Sequence, residues 1–379
     1  MRAMPNDPTA RDAHDIDPVA PRSPSSGTSQ VPDGVGVPAT TRTARQRVEW
    51  VDIAKGTSII LVVLLHAANL LISKGFAPEV WETINSYLQP IRMPLFFVAS
   101  GLFAQGMIAM AWPRMLRSRI AHLMYLYTLW LVVFLGVHNL LPSDVRHEGY
   151  ASWMNVVGGL YMPNSALWFI YGLAVFAVAA KAMSRLPLWL QLGAAVALNI
   201  YSQYQPVVSW SWNNLAEYFI YFLLGLHARS LIISVSRRTA LPWIAASIAA
   251  YAAMYYLLAD AGSGTQGLTI ILTTFGLAAG VLVSAAVVGT PVGGILNTVG
   301  RTTLPVYLML DMFIAMLGYV FIKLAIINEL LVVQAVAPLA LAAGTVAAAL
   351  YAHKLLLALR LNWLFELPPR LRGTARREA

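Results

Sequence analysis

WVDIAKGTSIILVVLLHAANLLI, residues 50–72, is apolar enough and long enough to cross a bilayer as a helix. It nevertheless carries Asp52, Lys55 and His66. Eleven helical steps separate Lys55 from His66, roughly three turns, so the two side chains return to nearly one face about 16 Å apart. Asp52 precedes Lys55 by one turn and shares that face. Polar side chains are costly in lipid, so the stripe is expected to look inward, toward protein or water.

Composition extends the reading to the whole chain. Of 379 residues 58% are hydrophobic and 11% charged, against about 25% charged in soluble domains. The expected fold is therefore all-α, a polytopic membrane protein of about ten transmembrane helices. The spans are expected near 51–72, 91–111, 120–141, 166–183, 187–204, 214–233, 241–259, 267–289, 303–325 and 330–357. The net charge of +9 is spread through short loops, with no basic patch interleaved with aromatics, so nucleic acid is not an expected partner. Arg42, Arg45, Arg47, Arg114, Arg117, Arg119, Lys181, Arg185, Arg229, Arg237, Arg238, Arg301 and Arg360 fall on one side. Only Lys74, Arg92, Arg146 and Lys323 fall on the other. The positive-inside rule then places both termini in the cytoplasm.

The chain has no cysteine, which excludes disulfides, thiolate metal sites and a cysteine nucleophile. No HExxH spacing occurs, and no bound metal is expected. Residues 1–44 hold seven prolines and many polar residues, the composition of a disordered cytoplasmic tail. The membrane domain is expected over 45–362 and a basic cytoplasmic tail over 363–379.

Several residues are able to carry chemistry. A neutral imidazole accepts a proton at ordinary pH, so His66 suits a general base, or else it bonds a neighbouring helix. Arg114 and Arg117 form an RxxR pair that would grip phosphates of a donor such as coenzyme A, or would anchor topology. Asp311, embedded in GRTTLPVYLMLDMF, is open to three roles: orienting His66, pairing with Lys55, or satisfying nearby hydroxyls. Arg92, at the start of RMPLFFVASGLF, either faces an acceptor or snorkels. Ser100 and Gly101 read first as close helix packing. The remaining histidines show no aligned partners and read as structural or interfacial.

Taken in order, RVEWVDIAKGTSIILVVLLH, RMPLFFVASGLF, PRMLRSRI, ALWFIYGL, YFIYFLLGL and GRTTLPVYL resemble the membrane acyltransferase-3 family over about residues 45–360. That resemblance implies a ten-helix enzyme of the bacterial inner membrane. It would move an acyl group, acetyl or succinyl in type, from cytoplasmic acyl-CoA to a hydroxyl of a surface glycan or lipid-linked sugar. The family's R/K-x10-H signature falls on Lys55 and His66, in its lysine form, and its RxxR signature on Arg114 and Arg117. Catalytic roles are thus expected for His66, Lys55 and Asp52, donor binding for Arg114 and Arg117, and substrate contact for Arg92 and Asp311. The donor expected is acyl-CoA, acetyl-CoA foremost, with no permanently bound cofactor; membrane lipid is the other partner. Two features depart from the family pattern. Asp311 stands where relatives often carry a histidine, and the C-terminal hydrolase-like domain of some relatives is not expected here. Two other readings of the residues are a transporter or flippase with Asp52, Lys55 and His66 as a proton relay, and a membrane scaffold or sensor.

Overall fold

The computed structural model describes residues 39–143, 145–150, 152–205, 207–261, 267–323 and 331–368, with side chains described from Glu49 onward. By its contacts the chain divides after Arg42, and residues 43–379 form the unit discussed below. Most of the expected tail, residues 1–38, lies outside the described residues.

The described residues form helices and no strand. In order they are α1 (Ala39–Ser73), α2 (Val80–Gly101), α3 (Gln105–Ala109), α4 (Trp112–Met115), a π-helical turn (Leu116–Ile120) and α5 (Ala121–Leu140). Then come α6 (Trp153–Gly159), α7 (Trp168–Met183), α8 (Leu188–Tyr204), α9 (Trp210–His227) and α10 (Arg229–Ser236). The chain continues through α11 (Leu241–Ala261), α12 (Thr269–Ala286), α13 (Pro291–Arg301), α14 (Thr303–Lys323) and α15 (Leu331–Ala358).

Each of the ten expected stretches holds a helix. Six helices are long and apolar enough to span a bilayer, and a seventh span results if α9 and α10, bent by 81°, count as one. α7, at 16 residues, covers only about 24 Å against a hydrocarbon core of about 30 Å. Exposed apolar side chains such as Leu241, Leu257, Val332 and Tyr351 suit lipid contact, where such exposure has no penalty. The chain is a multi-pass membrane protein. Its second expected span is displaced, because the helix occupies Val80–Gly101 rather than 91–111. The packed part of the chain also reaches past residue 362: Phe365 and Leu367 are buried, and the Trp130 indole donates to the carbonyl of Leu364 at 2.8 Å.

Two sets of contacts position the site. The first is an aromatic centre around Phe97 of α2, whose ring lies 4.6 Å from Phe169, 4.9 Å from Phe176 and 5.8 Å from Tyr218. It locks α2 to α7 and α9. The second is a pair of glycine crossings, in which small residues let backbones meet. A Cβ at Gly101 would lie 2.2 Å from the Phe222 carbonyl oxygen, and one at Gly225 2.2 Å from that of Val98. At the crossing of α1 and α13, a Cβ at Gly56 would lie 2.0 Å from the Leu296 oxygen and one at Gly300 1.7 Å from the Asp52 oxygen. Only glycine fits there. Replacing Gly300 with Ala is expected to force α13 away from α1 and cost about 1–3 kcal/mol. Thermal unfolding of the detergent-solubilised protein checks this, and an unchanged midpoint would contradict it.

Candidate functional site

The α1–α13 crossing sets up the first polar group. With Gly300 against the backbone of Asp52, the next residue, Arg301, brings its Nε to 3.8 Å from Asp52 Oδ2. Lys55 Nζ approaches Asp52 Oδ1 at 3.4 Å from one turn along α1, and the same ammonium sits 4.7 Å from the Phe103 ring centroid. One carboxylate is thus shared by two cations, which leaves the cluster one positive charge in excess. The Lys55–Asp52 pairing follows from their i,i+3 spacing. Arg301 did not show itself as a partner in the sequence, where it read as a topology anchor.

His66 lies about 16 Å further along α1. It is partly buried, and among the described residues its ring has no hydrogen bond. Its ionisable neighbours are Asp311, Arg92 and His147. Asp311 itself is paired, but with neither Lys55 nor a hydroxyl: His138 Nε2 lies 2.9 Å from its Oδ2. His138, on α5, is fully buried. Its Nδ1 accepts the backbone N–H of His147 at 3.2 Å. That acceptance fixes the tautomer, so the ring proton sits on Nε2 and is donated to the Asp311 carboxylate. His138 is thus a structural histidine, as the sequence suggested, with a partner on another helix that spacing along its own helix did not show.

The loop after α5 closes this end of the bundle. The Tyr150 ring packs 4.9 Å from that of His138 and 4.7 Å from that of His147. Its phenol oxygen accepts the Ala166 N–H at 2.8 Å, and Tyr307 donates to the Ala166 carbonyl. Burial first, then the charge of Asp311, pushes the Tyr150 hydroxyl well above the usual phenol range, so it stays neutral.

A polar cavity of about 450 Å³ lies between the C-terminal half of α1 and the N-terminal half of α2; Leu65 and Asn69 line it, and His66 does not. Asn69 and Ser73 line one wall, and Glu82, Asn85, Gln89 and Arg92 the other. The α2 residues recur at helical spacing, so they form one face. Pro90 interrupts the hydrogen-bond ladder of this helix, and the Tyr251 hydroxyl satisfies the nearby Tyr87 carbonyl at 2.6 Å.

Arg114 and Arg117 lie elsewhere. Both are exposed, one on α4 and the other in the π-helical turn, a local geometry often found at functional sites. Lys181 fixes their approach by donating to the carbonyls of Ile108 and Met110, each at 2.7 Å. This places a cation at the C-terminus of α3. From Arg117 to His138 is roughly 30 Å along the α4–α5 span. The structure gathers His66, Asp311 and Arg92 around one end of α1 and Asp52 and Lys55 toward the other. It brings the arginine pair against neither group. Among the described residues no cluster of His, Asp and Glu is able to hold a metal ion.

With that geometry in place, the comparison with protein families is decisive: the acyltransferase-3 model, described as an acyltransferase domain, matches residues 48–353. The chain belongs to the acyltransferase-3 family. All seven expected site residues fall within the matched segment. A curated relative, the inner membrane protein YcfT of Escherichia coli (strain K12), is 27% identical over 201 residues, covering 48% of this chain and 56% of that protein. The chain thus aligns with little more than half the length of that relative. No solved structure matches.

Removing the His138 ring would leave Asp311 Oδ2 and the His147 N–H without the partners seen here. His138→Ala is expected to cost about 1–3 kcal/mol and to be less than additive with Asp311→Asn. A double-mutant cycle of thermal unfolding in detergent measures this, and strict additivity would contradict the pairing.

Proposed function

We propose that this acyltransferase-3 family protein is an O-acyltransferase of the bacterial inner membrane. It moves an acetyl- or succinyl-type group from cytoplasmic acyl-CoA to a hydroxyl of a cell-envelope glycan or lipid-linked sugar. The observation that carries the reading is the state of His66. Its ring has no hydrogen bond among the described residues, Asp311 and Arg92 are among its ionisable neighbours, and Leu65 beside it in the chain and Asn69 one turn on line a polar cavity. A structural histidine in a lipid-crossing helix normally takes a partner; an unengaged one suits proton transfer.

In this reading the acceptor hydroxyl enters through the cavity between α1 and α2. His66 takes its proton, and the acceptor oxygen forms a bond to the thioester carbonyl carbon. The C–S bond then breaks, and the imidazolium returns the proton to the departing sulfur, giving free coenzyme A and the acyl ester. Asp311, held by the His138 N–H, offsets the positive charge that His66 acquires. Lys55 and Arg301 keep the other end of the stripe cationic, which favours the approach of an anionic donor. Arg114 and Arg117 hold the donor's phosphates at the cytoplasmic surface.

Loss of a general base typically lowers the rate by about 10² to 10⁴. A deletion strain carrying His66→Ala is therefore expected to show the same surface-glycan acylation by mass spectrometry as the strain carrying no copy, while the wild-type copy restores it. Acylation that persists with His66→Ala would remove the histidine's role. Acylation identical in all three strains would remove the glycan as acceptor.

A further inference from the structure

Two side chains of α2 are buried without the partners that burial requires. Arg92 is 5% exposed and its Nη1 has no hydrogen-bond partner; Asn85 is 5% exposed and neither its amide oxygen nor its nitrogen has one. Both line the cavity between α1 and α2, with Gln89 between them and Asn69 opposite. No carboxylate pairs with Arg92 among the described residues, and its ionisable neighbour Tyr218 is a phenol that supplies no counter-charge. Glu82 is the acid that lines the same cavity, and it is exposed. A guanidinium taken out of water without a counter-charge is strongly disfavoured. An amide with both ends unsatisfied adds to that penalty. A small anionic group entering the cavity would relieve both at once.

We infer that Arg92 and Asn85 form an oxyanion site that takes a carboxylate or phosphate carried by the acceptor itself, so that the protein selects acidic sugars over neutral ones. The inference rests on the acyl-transfer reading and narrows it. The guanidinium supplies charge and paired donors. Asn85 offers one donor to the anion and one acceptor to a neighbouring hydroxyl, while Gln89 and Asn69 are placed to bond further hydroxyls. A phospholipid phosphate shares the chemistry, but a cavity whose walls carry Asn69, Asn85, Gln89 and Glu82 favours a polyhydroxylated body over an acyl-chain-bearing one.

The test uses the full chain in nanodiscs of phosphatidylcholine, with sodium glucuronate and glucose as probes and calorimetry as the readout. Glucuronate is expected to bind at least about ten-fold more tightly than glucose, the factor that about 1.4 kcal/mol represents. Arg92→Gln is expected to abolish the preference and Arg92→Lys to keep part of it. Asn85→Asp places an internal carboxylate on the same face, so it is expected to abolish the preference while leaving the melting temperature no lower than wild type. That variant keeps the test informative should Arg92→Gln fail to fold. Equal binding of the two sugars to the wild type, binding of neither, or a preference that survives both Arg92→Gln and Asn85→Asp would overturn the proposal. Exchange of phosphatidylcholine for phosphatidylglycerol is expected to change nothing; loss of glucuronate binding in that lipid would assign the site to a headgroup and overturn it too. The two readings fail separately. A missing glucuronate preference with His66-dependent glycan acylation removes the anion site alone. A clear preference with acylation indifferent to His66→Ala removes the acyl-transfer reading.

Discussion

An ionisable side chain on a lipid-crossing helix needs a counter-charge or a polar partner, and most of this bundle's internal arrangement follows from that need. Asp52 lies between Lys55 and Arg301, Asp311 is held by His138, and Lys181 rests on two backbone carbonyls. The first of these depends on glycine. Only because Gly300 sits against the backbone of Asp52 does α13 come close enough to deliver Arg301. Backbone crossing and ion pairing there are one feature, in which sequence sets packing and packing sets charge.

Some polar groups keep no partner among the described residues, at Trp50, Ser58, Asn213, Asn297 and Thr345 as well as on α2. His66 has no hydrogen bond among the described residues, and Arg92 and Asn85 keep buried polar atoms without partners. Arg92 and Asn85 line the polar cavity between α1 and α2, and His66 follows Leu65, which lines it too. Groups that folding satisfies stabilise the bundle; groups it leaves unsatisfied are available to a ligand. This separation distinguishes Asp52 and His138, whose bonds are complete within the protein, from His66 and Arg92, whose bonds are not. In the proposed acyl transfer this becomes a division of labour, with His66 exchanging the proton and the His138–Asp311 pair holding a charge in position.

The first span was legible because a long apolar run leaves Asp52, Lys55 and His66 as the only charged or ionisable positions, and their helical spacing aligns them on one face. The family motifs were legible for the same local reason. The second span was misplaced because its first half carries Glu82, Asn85, Ser86, Gln89 and Arg92 on one face. Those residues depress hydropathy, three of them exposed along the cavity and Asn85 and Arg92 buried, so this half of the helix did not read as a span. His138 escaped because its partner lies 173 residues away, and helix depth from sequence is too coarse to join them. Arg301 escaped because a basic residue at a membrane edge has an ordinary explanation in topology. Span counting was hardest for α7 and α8, at 16 and 17 residues, since helices this short are apolar without reaching across a full hydrocarbon core.

The account requires that donor and acceptor arrive from opposite faces, because Arg117 and His138, the partner of Asp311, stand roughly 30 Å apart along α4–α5. The absence of native cysteine makes this directly measurable with single substitutions and a membrane-impermeant maleimide. In intact spheroplasts, Asn69→Cys beside the cavity is expected to react from outside, and Ser118→Cys beside Arg117 only after the membrane is permeabilised. Labelling of both positions from the same face would contradict the account.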